Sequence, residues 1–313
     1  MTNRELQELW FGAYSFSETE EGWLQAFQHT QAQMEYFRAA SDFWYNRSMA
    51  GTAKTLEFTT DAETVSFEYK ITWTGSQDSF ELAVNGLITE IRYVKDLPEE
   101  GKLEWKLPAG EKDVIIYLPA EATVELRSCE IDGTYTPAKK NEKVLWLGDS
   151  ITQGYGPMRS AMTYVSVANR LLNWDIINQG IGGYIYDKKS LMKMDSYMPD
   201  KIIVALGTNQ FGCEMMKDVE EYYETLIGLY GNTPVLCVTP LWRGDVPDGF
   251  PTLKRFCENV KAIAGKYPNV KIVDGFTLVP HLPEYFRDNL HPNALGCETY
   301  GRNLVEEIRK LGF

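Results

Sequence analysis

A serine stands where the chain must turn sharply. The four apolar residues from Val144 to Leu147 are too few for a helix and are typical of a fully buried strand, and the Gly148-Asp149-Ser150 that follows forces a sharp exit from it. The Ser150 hydroxyl would then lie at the carboxyl end of a strand, where open α/β sheets bind ligands, and a following helix could aim its amide N–H groups at a developing anion. The alternative is that Ser150 only caps an ordinary helix.

An aspartate and a histidine near the C-terminus have the spacing that a serine nucleophile needs. A serine hydroxyl is a poor nucleophile until an imidazole can accept its proton, and a carboxylate fixes the tautomer of that imidazole. Asp288 precedes His291 by three residues, so its carboxylate can hold one ring nitrogen while the other faces Ser150. Pro292 disfavours helical geometry at His291, which predicts a loop just before the last helix. Alternatively, Asp288 and His291 only cap the start of that helix.

The chain has two other histidines. His29 lies in the β-rich half with no carboxylate pattern beside it, which favours a structural role. His281 follows Val279-Pro280 in a loop. It could line a cleft, but an ordinary loop histidine is the preferred interpretation.

Two further segments could donate hydrogen bonds to the anion that forms during ester hydrolysis. Rigid donors aimed at that oxygen are usually the largest catalytic contribution, one donor being worth about 3 kcal/mol. The candidates are the backbone N–H groups of Ser150 and Gly183 and the side-chain amide of Asn209. Glycine lets the main chain approach a substrate closely, and asparagine supplies an N–H without a charge that would perturb His291. The alternatives are a tight turn at Gly183 and an Asx turn at Asn209.

The second half of the chain must position these residues, and in it short apolar strands alternate with amphipathic segments. The predicted strands are 144–147, 175–178, 201–206, 234–238 and 271–274, and the predicted helices are 162–172, 186–194, 217–230, 253–266 and 294–311. This alternation predicts an α/β fold with a parallel sheet covered on both faces. Such a sheet would gather the loops after its first three strands, and hence Ser150, Gly183 and Asn209, on one edge.

From about residue 8 to residue 135 the hydrophobic pattern is mostly period-two. The predicted strands are 55–59, 65–73, 80–85, 88–94, 103–107, 114–118 and 124–131, and one helix is predicted within 20–34. Several short strands at close spacing indicate a β-sandwich or jelly roll. The linker from Pro137 to Asn141 divides the chain into an N-terminal all-β domain, residues 1–137, and a C-terminal domain, residues 138–313.

Four short motifs occur in a characteristic order. Gly148-Asp149-Ser150-Ile-Thr, Gly183, Gly207-Thr-Asn209 and Asp288-x-x-His291 resemble the sequence blocks of the SGNH (GDSL-type) hydrolase superfamily. The resemblance spans residues 143–311. It implies a three-layer α/β/α fold with a serine esterase site, in which Ser150 is the nucleophile, Asp288 and His291 complete the triad, and Gly183 and Asn209 form the oxyanion hole. Gln210 departs from the aspartate that commonly follows the third-block asparagine.

The order of the two domains carries a second resemblance. A β-sandwich in front of such a domain, and the extended run Gly-Asp-Ser-Ile-Thr-Gln-Gly-Tyr-Gly, are similar to family 2 carbohydrate esterases, which remove acetyl groups from plant polysaccharides. Some members of that family are described as lacking the triad aspartate, whereas Asp288 is present here. The segment 240–245 follows the fourth predicted strand and should reach the same sheet edge. Its Trp242 could stack on a sugar ring, or could be a packed loop tryptophan.

The composition of the chain argues against some classes of binding partner. The formal net charge of −13 argues against binding to nucleic acid or to an anionic membrane surface. The five cysteines, Cys129, Cys213, Cys237, Cys257 and Cys297, form no C-x-x-C pair and are read as small apolar residues in a reducing compartment. Because the first residues lack the apolar core of a secretory signal, we expect a cytoplasmic protein.

The sequence therefore predicts an esterase that removes a short acyl group, above all acetyl, from a sugar hydroxyl through an acyl-enzyme. Without a visible export signal, imported oligosaccharides or other small-molecule esters are the expected substrates. No cofactor is expected, and since no His, Cys and carboxylate residues stand at metal-ligand spacing, the predicted reaction is metal-independent. The alternatives are a lipid or thioester hydrolase, and a carbohydrate-binding protein whose hydrolase domain has lost activity.

Overall fold

The computed structural model describes residues 1–76, 78–212 and 216–313. Its α-helices are α1 (Asn3–Leu9), α2 (Gln31–Ala40), α3 (Asp42–Ser48), α4 (Ser150–Gln153), α5 (Tyr164–Leu172), α6 (Met216–Tyr230), α7 (Phe250–Ala264) and α8 (Ala294–Leu311). Its strands are β1 (Trp10–Phe11), β2 (Ser15–Glu18), β3 (Leu24–Phe27), β4 (Thr55–Thr60), β5 (Thr64–Thr74), β6 (Ser79–Val84), β7 (Leu87–Tyr93), β8 (Glu100–Lys106), β9 (Lys112–Tyr117), β10 (Ala122–Ile131), β11 (Tyr135–Pro137), β12 (Lys143–Gly148), β13 (Asp175–Gly180), β14 (Lys201–Ala205), β15 (Val235–Val238) and β16 (Val270–Val273).

Two antiparallel sheets make up most of the first half. One has the order β1-β4-β9-β6-β7 with β11 beside β4, and the other has the order β2-β3-β10-β5-β8. Because side chains alternate across a strand, Leu56 and Phe58 of β4 and Val65 and Phe67 of β5 enter one shared core. The seven predicted strands are present as β4 to β10, and the two sheets form an antiparallel β-sandwich, called the sandwich below. A jelly-roll connectivity stays a prediction.

The second half contains a five-stranded parallel sheet of order β13-β12-β14-β15-β16. Leu145 and Leu147 of its central region pack with residues of α6 and α7 on one face. Val144 and Trp146 pack with residues of α5 and α8 on the other face. The predicted parallel sheet with helices on both faces is confirmed.

The first three strands of this sheet end in register. Gly148 of β12 lies opposite Gly180 of β13 and Ala205 of β14. The loops that follow these strands therefore leave the same edge of the sheet, where the sequence predicted that a site would form.

The helix predicted within residues 20–34 is wrong in its position. Leu24–Phe27 forms strand β3, because Leu24 and Ala26 alternate into the sandwich core. The helix begins at Gln31, where the Thr30 hydroxyl accepts the backbone N–H of Gln33 and the Gln33 side chain accepts that of Thr30. The helix predicted at 186–194 is a single 3₁₀ turn at Lys188–Ser190.

Helices α2 and α3 precede the predicted domain boundary but pack on the parallel-sheet side. Phe37 of α2 is 1% exposed and belongs to the hydrophobic cluster of Leu147 and Tyr184. The rings of Phe37 and Tyr184 are 5.7 Å apart, and Trp44 of α3 lies 5.0 Å from the same tyrosine. The boundary between residues 137 and 138 stays a prediction, and residues 31–48 contribute to the core of the other half.

A buried ion pair also joins the sandwich to the α/β half. The Glu81 side chain on β6 is fully buried, and Arg159 Nη2 lies 2.6 Å from its Oε2. Its Oε1 accepts hydrogen bonds from the Ser79 hydroxyl at 2.8 Å and from the N–H of Ala161 at 3.2 Å. Both carboxylate oxygens of Glu81 therefore have partners, and two of these partners, Arg159 and Ala161, lie across the interface.

Replacing Glu81 with alanine is expected to lower the free energy of unfolding by about 3 kcal/mol, because it leaves a half-buried guanidinium without its counter-ion. Urea denaturation measures this change. Glu220→Ala is the matched control, since its partner Lys266 is 3.0 Å away and both side chains are more than half exposed. In that control the free energy of unfolding should fall by less than about 1 kcal/mol. Equal losses in the two variants would contradict the stabilising role of the interface pair.

Candidate active site

Ser150 lies at the turn from β12 into the short helix α4. Asp149 caps this helix, its Oδ1 accepting the N–H of Ile151 at 3.1 Å. The turn is so tight that a Cβ on Gly148 would lie 2.1 Å from Thr152 Oγ1, which explains the glycine at the end of the strand. The local structure predicted from the sequence, a serine at the carboxyl end of a buried strand, is present.

His291 and Asp288 form a hydrogen-bonded chain with Ser150. His291 Nε2 lies 3.0 Å from Ser150 Oγ, and His291 Nδ1 lies 2.8 Å from Asp288 Oδ2. An ionised carboxylate only accepts hydrogen bonds, so Nδ1 carries the proton and Nε2 is free to accept one from the serine. This geometry suits general-base activation of the hydroxyl.

The carboxylate of Asp288 is held by the backbone as well as by the imidazole. Its Oδ1 accepts the N–H groups of Leu290 at 3.1 Å and His291 at 2.8 Å. Burial raises the pKa of Asp288, but the hydrogen bonds from the His291 backbone and ring outweigh burial, so the net pKa is lowered. Asp288 is therefore ionised at neutral pH, as the proton on Nδ1 requires.

Tyr155 and Gly156 support the histidine from the segment after α4. The Tyr155 ring meets the His291 ring edge-on, with centroids 4.6 Å apart. A Cβ on Gly156 would lie 2.3 Å from the carbonyl oxygen of Pro292, so only glycine lets this segment pass the His291 loop. Neither role was predicted from the sequence, although both residues lie in the extended Gly-Asp-Ser-Ile-Thr-Gln-Gly-Tyr-Gly run that could have pointed to them.

The structure brings the loops of Gly183 and Asn209 together beside α4. The N–H of Ile181 donates to the carbonyl of Gly148 at 3.1 Å, and the N–H of Gly182 donates to Gln153 Oε1 at 2.5 Å. Gly183 has φ +70°, in the left-handed region that favours glycine. Asn209 Nδ2 donates to the carbonyl of Tyr184 at 2.9 Å, which uses one of its two N–H groups. We propose that the second N–H donates a hydrogen bond to the oxyanion.

Gln210, the departure from the family pattern, keeps a local hydrogen bond. Its Oε1 accepts a hydrogen bond from the N–H of Tyr186 at 2.6 Å. A carboxylate oxygen of an aspartate is an acceptor of the same kind. Its Nε2 is buried without a partner among the described residues. Gln210 therefore holds the Tyr186 backbone through its side-chain oxygen.

Arg243 ties the loop after β15 to the loop of Asn209. Its Nη1 donates to the carbonyl of Thr208 at 2.7 Å, and its Nε and Nη2 donate to the Asp245 carboxylate at 3.0 and 2.5 Å. Burial raises the pKa of Asp149 to about 7, while the charge of Arg243 acts in the opposite direction. The sequence placed segment 240–245 at this edge but did not single out Arg243, whose side chain links the two loops.

Trp242 packs within the protein. Its ring stacks on His281 at 5.5 Å and meets Phe286 edge-on at 5.3 Å. One face of the indole is therefore covered, and its role in stacking on a sugar stays a prediction. His281 Nε2 donates to the carbonyl of Phe276 at 3.0 Å.

The remaining candidates are buried and lie outside the triad. His29 is 1% exposed and contacts the carbonyl of Ser48, and burial lowers its pKa to about 3, so it stays neutral. The described cysteines are all free and buried, and burial raises the pKa of each thiol: Cys129, Cys237, Cys257 and Cys297. Cys213 lies outside the described residues.

The proposed oxyanion role of Asn209 gives a testable prediction. Asn209→Ala is expected to lower kcat for an acetate ester by about 10²-fold with little change in KM, because the lost donor acts on the transition state. Asn141→Ala is the matched control: Asn141 is also an exposed asparagine whose Nδ2 donates to a backbone carbonyl, that of Leu172 at 3.3 Å. Steady-state kinetics that show the same loss for both variants would contradict the role of Asn209.

A family model matches this part of the chain. Residues 146–298 match the GDSL-like Lipase/Acylhydrolase family, and the matched range runs from the strand before Ser150 past His291. Over these residues the α/β half of this protein is similar to the GDSL-like lipase/acylhydrolase family. The superfamily predicted from the four motifs is thereby confirmed, together with its α/β fold. None of the curated proteins matches the chain in sequence.

Solved structures similar to this chain contain both halves. The salicylyl-acyltransferase SsfX3 from a tetracycline biosynthetic pathway is 20% identical with a TM-score of 0.76, covering 97% of this chain and 94% of its own. A family two carbohydrate esterase from Clostridium thermocellum, in complex with cellohexaose, is 16% identical with a TM-score of 0.70, covering 96% and 98%. An acetyl xylan esterase, Est2A, from Butyrivibrio proteoclasticus is 17% identical with a TM-score of 0.61, covering 84% and 90%.

These likenesses show that the fold, a sandwich followed by a parallel α/β sheet, is shared with these structures. The predicted similarity to the architecture of family 2 carbohydrate esterases is confirmed. Among the residues that the structure describes, no helix has the length and apolar character needed to cross a membrane.

Proposed function

We propose that this protein is a serine esterase that removes acetyl or similarly short acyl groups from carbohydrate hydroxyls. The hydrogen-bonded chain from Ser150 through His291 to Asp288 is the observation that carries the proposal, because a binding protein gains nothing from a nucleophile, a base and an orienting carboxylate in line. The match of residues 146–298 to the GDSL-like Lipase/Acylhydrolase family supports ester hydrolysis as the reaction.

The geometry supports the following sequence of steps. Ser150 Oγ attacks the ester carbonyl carbon while His291 Nε2 takes its proton, and the Asp288 carboxylate stabilises the imidazolium. The carbonyl oxygen becomes an anion held by the N–H groups of Ser150, Gly183 and Asn209. The bond between the carbonyl carbon and the sugar oxygen then breaks, and His291 returns the proton to the leaving sugar hydroxyl. Water attacks the acyl-serine by the same route, releasing the acid and restoring Ser150.

The choice of an acetylated carbohydrate is supported by architecture. Of the structures that share this fold, one is named a family two carbohydrate esterase and was solved with cellohexaose, and another is named an acetyl xylan esterase. Each is under 25% identical to this chain, so the similarity shows the fold and the substrate remains our proposal. The expected partner is an oligosaccharide or a small-molecule ester.

A substrate series tests this proposal. The purified protein should release acetate from acetylated xylo-oligosaccharides, and its kcat/KM for 4-nitrophenyl esters should fall as the acyl chain grows from acetate to butyrate to octanoate. Rising activity with chain length would instead indicate a lipid or thioester hydrolase. Binding of the acetylated oligosaccharide without acetate release would indicate a carbohydrate-binding protein and would overturn the enzymatic proposal.

A further inference from the structure

Two residues of α3 reach the glycine turn beside the nucleophile. A Cβ on Gly182 would lie 2.8 Å from both Cδ and Nε of Arg47, and a Cβ on Gly183 would lie 3.3 Å from Cε1 of Phe43. Phe43 and Arg47 are one helical turn apart and therefore share a face of α3. The first half of the chain thus places a cation and an aromatic ring directly against the turn that carries a proposed oxyanion donor.

The Arg47 guanidinium lies near two aromatic rings. Its Cζ is 3.6 Å from the centroid of the Phe43 ring and 5.5 Å from that of Trp73, at the end of β5. Such cation–π contacts hold a guanidinium in place while leaving the N–H groups in its plane available. The position of this cation is therefore restricted before any ligand arrives.

The donors of Arg47 are largely unused. Among the described residues its single hydrogen bond runs from Nη1 to the carbonyl of Phe43 at 3.4 Å. No carboxylate oxygen of the described residues lies within 4.0 Å of a guanidinium nitrogen, the limit for an ion pair. Burial lowers the pKa of Arg47, while the nearby Glu121 and Tyr155 act in the opposite direction. Arg47 packs against Gly182, whose N–H donates to Gln153 of α4, the helix that begins at Ser150.

Glu121 is the carboxylate behind this cation. It is 2% exposed, and neither carboxylate oxygen accepts a hydrogen bond of normal distance and angle from the described residues. Burial raises its pKa to about 7, as does the charge of Asp78, and the attraction of Arg47 acts the other way. Glu121 therefore attracts Arg47 at a distance without occupying its fork of N–H groups.

We infer that Arg47 binds a carboxylate on the ester substrate, so that this enzyme prefers anionic esters to neutral ones of the same size. This inference rests on the proposed function and names a substrate class for the same site. A guanidinium with free donors pairs with a carboxylate through two parallel hydrogen bonds, a geometry that neutral groups do not match. The carboxylate belongs either to the sugar, as in a uronic acid, or to the acyl group, as in a half-ester of a dicarboxylic acid.

Matched substrate pairs test the inference and separate the two sources. The sugar pair is a methyl acetyl-glucuronoside and the methyl acetyl-glucoside acetylated at the same hydroxyl. The acyl pair is 4-nitrophenyl hydrogen succinate and 4-nitrophenyl butyrate. For each pair we divide kcat/KM for the anionic substrate by kcat/KM for the neutral one. In one of the two pairs this ratio should exceed one for the unaltered protein. In Arg47→Met it should fall by about 10- to 100-fold, as the loss of a charge-assisted hydrogen-bonded pair predicts. Arg47→Lys should retain part of the preference, because the charge remains but the fork is lost.

Arg38→Met is the matched control. Arg38 lies on the neighbouring helix α2, and its guanidinium also covers an aromatic ring, that of Tyr45 at 4.4 Å. Removing this charge changes the net charge equally, and the ratio should stay within about twofold if the effect is local. Glu121→Gln should raise the ratio, since it removes the negative charge that competes with the ligand for Arg47.

Several outcomes are decisive. An unchanged ratio in both pairs for a folded Arg47→Met variant, or an equal fall in Arg38→Met, would overturn the inference. If no ester is hydrolysed at all, the proposed function fails, and binding is then measured instead. The binding affinity is measured for the Ser150→Ala variant and for the Ser150→Ala, Arg47→Met double variant. Each is titrated with methyl glucuronoside, methyl glucoside, succinate and butyrate, which requires no turnover. Loss of the preference for the anionic ligand on removing Arg47 would support the carboxylate site, and equal binding would contradict it.

Discussion

Alanine in place of Ser150 is expected to lower kcat for 4-nitrophenyl acetate at least about 10⁴-fold, because no other group can form the acyl-enzyme. The oxyanion donors and the imidazole stay in place, so weak catalysis of direct attack by water is all that should remain. Stopped-assay kinetics on the purified variant measure the loss.

Ser190→Ala serves as the matched control for this variant. Ser190 is 7% exposed against 8% for Ser150, and its hydroxyl donates to the carbonyl of Asp187 at 2.8 Å. Turnover by Ser190→Ala should stay close to that of the unaltered protein. A Ser150→Ala protein that hydrolyses the ester at the unaltered rate would contradict the proposed role of Ser150.

Asp288→Asn is expected to reduce kcat by about 10³-fold. An amide can donate to Nδ1 of His291, which favours the tautomer with the proton on Nε2, and that nitrogen can then no longer accept the serine proton. The Asp288 side chain is 44% exposed, so water can partly replace the carboxylate, and the loss should be smaller than for a buried triad aspartate.

Asp132→Asn is the control for the aspartate variant. Asp132 Oδ1 also accepts two backbone N–H groups, those of Glu63 at 3.0 Å and Thr64 at 2.9 Å, but it lies in the sandwich. Any loss of activity common to both variants would reflect folding. If Asp288→Asn kept full kcat while Ser150→Ala did not, the serine and histidine would act as a dyad.

Much of the catalytic half could be predicted because its signals are local. Strand β12, the turn at Gly148 and the capped start of α4 are specified by adjacent residues, and Asp288 and His291 are three residues apart. Parallel pairing then fixes which strand ends meet. The distance between Ser150 and His291 follows from these elements, although the two residues are 141 positions apart in the chain.

The N-terminal helices were harder to predict because tertiary contacts decide them. Leu24 and Ala26 become strand residues through pairing with β2 and β10, which a helical window over 20–34 does not detect. Helix α3 gave no clear periodic signal over its seven residues. Arg47 was missed for the same reason: its neighbours Gly182 and Trp73 come from distant parts of the chain, and only the assembled fold brings them together.

The packing of α2 and α3 has a consequence for evolution and for protein engineering. Cutting the chain before residue 138 would strip Phe37 and Trp44 from the Tyr184 ring and uncover apolar surface that normally never meets water. A truncated esterase should therefore aggregate rather than work alone. A transplanted α/β half should therefore keep residues 31–48 with it.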